Sequence, residues 1–248
     1  MASREKSIPK KLKHDAIVEA VVEIRFSTAT IPEILFGRLA DYEPWKNFKQ
    51  QRLPVYEVPP PWRQADPNLR FLPIFELSGD QRSVRIGPHV ISYHRSAPYV
   101  GWEQFRSELD ETIRGLFDTA KGLVIRRLGL RYLNALNPDF HFIKSVSDLD
   151  LEIKVANESI PGNVNLNFNI DMPGDTACTV RIATKEFVQG ILPLNTSVYV
   201  DVDVFTKEGF ETEEQQVVRD WMTTAHESEK KQFFGLLTDQ TIERLKEE

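Results

Sequence analysis

Four asparagines, Asn163, Asn165, Asn167 and Asn169, alternate with Val164, Leu166, Phe168 and Ile170. Successive side chains of a strand point to opposite faces, so this spacing predicts four amides in a row on one face. Each amide offers donors and an acceptor, which suits a base, a sugar or an extended peptide. The plainer account is a solvated outer face, such as one-sided antiparallel sheets turn to water. Asn is a poor strand former, and that is why the row stands out.

Other groups could do chemistry. Asp201 and Asp203 share a strand face with Tyr199 and Phe205. Two carboxylates at that spacing could begin a hard-metal site or an acid–base pair. No third carboxylate or histidine stands at an informative spacing, so the pair reads as structural. Arg126, Arg127 and Arg131 fall on a segment that is apolar on both faces. A charge there is costly unless paired. The expectation is a pairing with Glu19 or Glu23 on a neighbouring strand; an anion site at Arg127 and Arg131 is the alternative. Trp62 follows Pro59-Pro60-Pro61 in a stretch read as loop, where an exposed indole could meet a partner. His226-Glu227 resembles the start of a zinc-protease motif, but that motif needs a second histidine where Lys230 stands. The other histidines, His14, His89, His94 and His141, form no metal pair by spacing, and no phosphate loop or nucleophile elbow occurs. Neither a cofactor nor a catalytic residue is assigned.

The elements that must position these groups follow from periodicity. Strands are predicted at about 15–26, 69–78, 82–94, 123–134, 150–156, 163–171, 177–185 and 197–206. Helices are predicted at about 31–42, 102–119, 213–231 and 239–248. The first opens at Thr30 with Pro32 in its first turn, and the third opens on a Thr212–Gln215 capping box. Trp102, Phe105, Leu109, Ile113 and Leu116 recur at helical spacing. Six prolines within 54–73 predict loop or polyproline conformation. The fold class is α+β, with two similar halves, 15–136 and 137–248. Each half is antiparallel strands followed by a long amphipathic helix on the sheet, and the two share one core. Residues 1–14 read as a flexible basic arm, dispensable for folding.

Composition narrows the function classes. The chain has 248 residues, a net charge of −6 and 41% hydrophobic residues. That balance disfavours broad binding to nucleic acid, which needs excess Lys and Arg. Cys178 is the only cysteine, so no intramolecular disulfide can form, and it reads as a small core residue. No apolar run is long enough to span a bilayer, and the N-terminus lacks a signal-peptide core, so a cytoplasmic location is expected.

Several segments together resemble a known family. They are Val18-Glu19-Ala20-Val21-Val22-Glu23-Ile24-Arg25-Phe26, the stretch Tyr99 to Trp102, and Arg127-Leu128-Gly129-Leu130-Arg131-Tyr132-Leu133-Asn134. An acidic valine-rich strand, His226, Phe233 and Thr238 follow late in the chain. The pattern is similar to a sporadically distributed family of uncharacterised bacterial proteins of about this length. The resemblance implies no activity and no site residue; the patchy distribution is associated with mobile or defence cassettes.

The first functional expectation is a non-enzymatic protein that binds another protein, in a defence, toxin–antitoxin or chaperone-like setting. The candidate binding residues are Asn163, Asn165, Asn167, Asn169, Trp62, Arg127 and Arg131. The alternative is a small-molecule or nucleotide-binding domain, or an undetected enzyme, with its pocket between sheet and helices. The space between sheet and helices discriminates the two. A filled interface favours the first, and a deep cavity with convergent polar groups favours the second.

Overall fold

The alternation Ala20, Val22, Ile24, Phe26 buries one face of the first strand and leaves Glu19, Glu23 and Arg25 on the other. That strand lies near the middle of a nine-stranded antiparallel sheet. The computed structural model describes residues 6, 8–9, 12–159, 162–188, 190 and 192–246. Among them the elements run β1 (Ile17–Ser27), α1 (Pro32–Ala40), β2 (Lys49–Arg52), α2 (Pro60–Ala65), β3 (Phe75–Gly79), β4 (Arg82–Ile86), β5 (Val90–Ser96), α3 (Trp102–Thr119) and β6 (Val124–Leu136). They continue with α4 (Pro138–His141), β7 (Lys154–Val155), β8 (Glu158–Ser159), β9 (Asn165–Asp171), β10 (Thr176–Thr184), β11 (Val198–Thr206), α5 (Gln215–Gly235) and α6 (Asp239–Leu245).

The sheet order is β2-β3-β4-β5-β1-β6-β11-β10-β9, and β7 and β8 form a separate two-stranded ribbon. In β1 and β6 the register sets Val22 opposite Leu130 and Ala20 opposite Tyr132, so one buried face runs across the central pair. Helices α3 and α5 pack there. Phe105, Leu109, Ile113 and Leu116 of α3, and Val218, Met222, Ala225 and Phe233 of α5, are buried at helical spacing. Gly115 in α3 lets Tyr42 and Trp45 approach, since a Cβ would stand 3.1 Å from both rings.

Several predicted elements differ. Strand β2 precedes the proline-rich stretch, which contains a 3₁₀ turn at Pro54–Glu57 and the short α2, whose first turn accepts Pro60 and Pro61 because helix-initial N–H groups have no partner to lose. The strand predicted at 69–78 begins only at Phe75, while the one at 82–94 breaks at Gly87-Pro88, as that dipeptide predicts, into β4 and β5. Only Lys154–Val155 of the strand at 150–156 forms. Neither predicted cap closes a helix. The Thr30 hydroxyl accepts from the Lys121 N–H, and the Thr212 hydroxyl accepts from the Glu214 N–H while Glu214 itself is the N-cap of α5.

The basic arm is docked where it is described. The Lys6 ammonium donates to Asp150 and to the carbonyls of Gly235 and Leu237, at 2.5, 2.8 and 2.7 Å. Ile8 packs on the core, Leu12 is buried, and the Lys13 N–H donates to the Leu245 carbonyl. Lys10 and Lys11 lie outside the described residues. Among the described residues no helix is long and apolar enough to cross a membrane.

Candidate functional site

On the sheet face opposite the helices, charge is paired with charge. Arg131 Nε and Nη2 donate to the two oxygens of Asp201 at 2.7 and 2.6 Å. Arg127 donates to Glu23 at 2.8 Å and stands 3.9 Å from Asp203, with its guanidinium over the Phe205 ring. Gly129, in mid-strand, leaves the room for this: a Cβ there would stand 3.1 Å from Arg127 Nη1. Arg126 pairs with Glu211, and Glu19 meets His94 rather than an arginine. The expected pairing holds for Glu23, which accepts from Arg127, but Arg131 and Arg126 take Asp201 and Glu211, and Glu19 pairs with no arginine. Sequence spacing cannot reveal that β11 lies beside β6. Asp201 is the counterion of Arg131, and Arg127 is shared between Glu23 and the more distant Asp203. Burial pushes the Asp203 carboxyl up to about 6, against the pull of Arg127. The site residues Arg127 and Arg131 are thus satisfied internally.

The asparagine row stands on this same face, on the edge strand β9. Asn163 precedes that strand and is exposed. Asn165 accepts from Arg181 Nε at 2.9 Å and Asn169 accepts from the Thr179 hydroxyl at 3.0 Å, while Leu166 and Ile170 pack against the core. Asn167 is exposed. Trp62 projects from α2 with 71% of its surface exposed, remote in sequence from the row. The structure does not gather the sequence candidates into one site.

A different set of residues does converge. Between the sheet and the facing parts of α3 and α5 lies a cavity of about 860 Å³. Gly101, at φ 83°, turns the chain into α3, and Tyr99 and Trp102 on either side of it both line the hollow. Strand β6 contributes Tyr132 and Asn134 from its helix-facing side, and α5 contributes His226 and Glu229, three residues apart and so on one face. The His226 imidazole lies flat on the Trp102 indole, 3.8 Å between centroids at 4°. Tyr132 Oη is 3.0 Å from Tyr99 Oη and 3.3 Å from His226 Nδ1, a chain of three polar atoms along the wall. Tyr99 and Tyr132 meet edge to face.

Burial governs the electrostatics here. It lowers His226 to about 3, helped by the Lys230 charge, so the imidazole is neutral. It raises Glu229 to about 8, with Lys230 opposing. Both tyrosine hydroxyls are held well above their ordinary range, first by burial. Glu229 is 5% exposed and has no hydrogen bond or ion pair with any described residue. Near neutrality it is largely a neutral acid that can donate, and a bound countercharge would convert it to an acceptor. A second hollow of about 700 Å³, bounded by Ser145, Thr184 and Thr196, has its charged members Asp139, Lys144, Glu152, Lys185 and Glu186 in solvent. Among the described residues no group of three or more His, Cys, Asp or Glu is placed to hold a metal ion.

A pocket between sheet and helices is the sequence alternative, but none of its lining residues is among the sequence candidates, although a signal existed. Met222, Ala225, His226, Glu229 and Phe233 continue the buried stripe of α5, so two titratable residues occupy core positions. The chain matches no protein-family model and no curated protein sequence.

Proposed function

We propose that the chain binds a small molecule in the cavity framed by Tyr99, Trp102, Tyr132, His226 and Glu229. The observation that carries this is Glu229: a carboxyl buried in the protein, unpaired, opening on a hollow where hydroxyls and an imidazole converge. No described protein group bonds this carboxyl, so a ligand in the hollow can supply its hydrogen bonds. The volume, about 860 Å³, falls in the usual range for ligand pockets. Segments that carry the family resemblance, Tyr99 to Trp102, Tyr132, Asn134, His226 and Phe233, all contribute to the lining.

The test is protein-observed NMR with a fragment library, combined with native mass spectrometry of protein purified without denaturation. Binders should perturb Tyr99, Tyr132 and His226 resonances and be displaced in Val100→Trp, which fills the hollow from the loop before α3. If no fragment and no co-purified molecule reports on these residues, the reading fails.

We also infer an architectural reading that supports this placement. Strand β1 pairs with β5, the last strand of the β3-β4-β5 meander that α3 follows. Strand β6 pairs with β11, the last of the β9-β10-β11 meander that α5 follows. Two similar halves then meet at the β1–β6 ladder, with their boundary near Lys121-Gly122 rather than at 136, and the cavity lies where both helices reach this ladder. A cytoplasmic location fits the single buried Cys178, whose thiol burial pushes up to about 12.

A second reading, protein binding, rests on β9. This strand ends the sheet and presents exposed amides beside its free edge, the geometry to which an extended peptide adds as a further strand. Replacing Asn165 and Asn167 with Ser should then weaken partner capture and spare stability.

A further inference from the structure

We propose that the cavity's ligand is an organic cation, an amine or quaternary ammonium compound with an apolar body, whose nitrogen sits between the Glu229 carboxylate and the aromatic faces of Tyr99, Trp102 and Tyr132. This rests on the binding reading above and adds the chemical class.

The charge around the hollow points one way. From α5 come Glu227, Glu229 and Lys230; from the turn into α3 comes Glu103; from the segment before β1 comes Asp15. Strand β6 contributes only neutral groups, Tyr132 and Asn134. The one described cation of the lining, Lys230, stands 3.8 Å from Glu227 and pairs with no other acid. His226 adds no positive charge, since its ring is stacked flat on Trp102 and buried. Among the described residues of the lining, Glu103 and Glu229 remain beside the Lys230–Glu227 pair, so an anionic ligand would meet more acid than base.

The walls suit a cation as well. Trp102, Tyr99 and Tyr132 present π-systems, and a cation over such a face gains about 0.5–2 kcal/mol, most where water is excluded. Glu229 touches no described partner, yet its charge acts on both Tyr99 and Tyr132. The carboxyl and the two phenols line the same hollow, so a nitrogen seated in it faces all three residues. The acid-base balance closes without another reactant. The ligand arrives as ammonium, the protonated Glu229 carboxyl ionises against it, and the proton leaves to solvent. Binding at neutral pH therefore releases protons.

The experiment uses three probes of matched size on the full chain: benzyltrimethylammonium, benzylamine and neutral benzyl alcohol. Binding is followed by the change in Trp102 fluorescence, with Trp102→Phe as the control for the other indoles. Calorimetry at pH 7 in two buffers of different ionisation enthalpy counts the protons. The expected result is that both cations bind at least tenfold tighter than the alcohol, with net proton release. Glu229→Gln, which keeps the shape and removes the charge, should lose at least tenfold for the cations and not for the alcohol; circular dichroism checks its fold. Equal or tighter binding of the alcohol, or an unchanged affinity of the cations for Glu229→Gln, overturns the cation inference and leaves the pocket standing. Silence from all three probes also overturns it, whereas the pocket reading falls only if the wider fragment screen is silent too.

Discussion

Glu229 and His226 are shifted in opposite senses, and each makes its own contribution to how stability depends on pH. The Glu229 carboxyl is raised from 4.5 to about 8, so the folded chain holds a proton that the unfolded chain has released. Stability from this group is complete below 4.5 and declines as pH rises toward 8, by about 1.4 kcal/mol per pH unit. The His226 imidazole is lowered from 6.5 to about 3, so its contribution is complete above 6.5 and declines as pH falls toward 3. Between 4.5 and 6.5 the slopes cancel, and the pair favours folding most there. Urea unfolding of Glu229→Gln against the parent isolates one arm. The variant should gain on the parent by about 3 kcal/mol between pH 5.5 and pH 8. A difference independent of pH would mean that the carboxyl is solvated. These two residues were legible as core positions of a helical stripe. Their neighbours were not, because Tyr99, Tyr132 and His226 are distant in sequence and only the tertiary fold joins them. The arginines show the same limit: burial predicted that they would be paired, but choosing Asp201 over Glu19 required the strand order.

At the scale of elements, strict alternation made β1, β9, β10 and β11 readable, and the apolar stripe made α3 readable. Periodicity is silent on pieces too short to show a period. The four-residue β2 is therefore illegible, and the six-residue α2 is hidden further by its prolines. The arm was misread for a related reason. Its apolar residues, Ile8 and Leu12, are too few for a pattern, yet they land on surface that α5 and α6 provide. Deleting residues 1–13 should accordingly destabilise the protein rather than leave it unchanged. Losing a buried leucine costs about 2 kcal/mol or more, and the three Lys6 bonds add to it. At about 2–4 °C per kcal/mol for a chain of this size, thermal unfolding should fall by roughly 5 °C or more. Because Leu12 also lines the cavity, Leu12→Ala should loosen the site while keeping the rest of the arm in place.

For the whole molecule, the question is whether 248 residues fold around one core or two. The buried apolar residues of both sides of the sheet belong to one continuous cluster, from Leu35 and Trp45 through Ile24 and Leu130 to Val202 and Phe234. The joint between the sides is the longest ladder of the sheet. It pairs the 11-residue β1 with the 13-residue β6, and its register runs from Ile17–Asn134 to Ser27–Val124. Each of these strands is flanked by a further strand, so their amides are shielded on both sides, unlike those of the edge strands β2 and β9. Exchange from such a ladder requires global opening, whereas edges open locally. Hydrogen exchange followed by mass spectrometry should find the slowest amides at Ala20–Ile24 of β1 and Leu128–Tyr132 of β6, at one common protection level. Strands β2 and β9 should exchange far sooner. Two separate domains would instead give two plateaus, one per side, with the β1–β6 ladder among the weaker parts. A common plateau would also explain why the cavity is built where it is: α3 and α5 reach the molecule's most stable ladder there, and a buried, unpaired carboxyl is tolerated only where the surrounding frame does not yield.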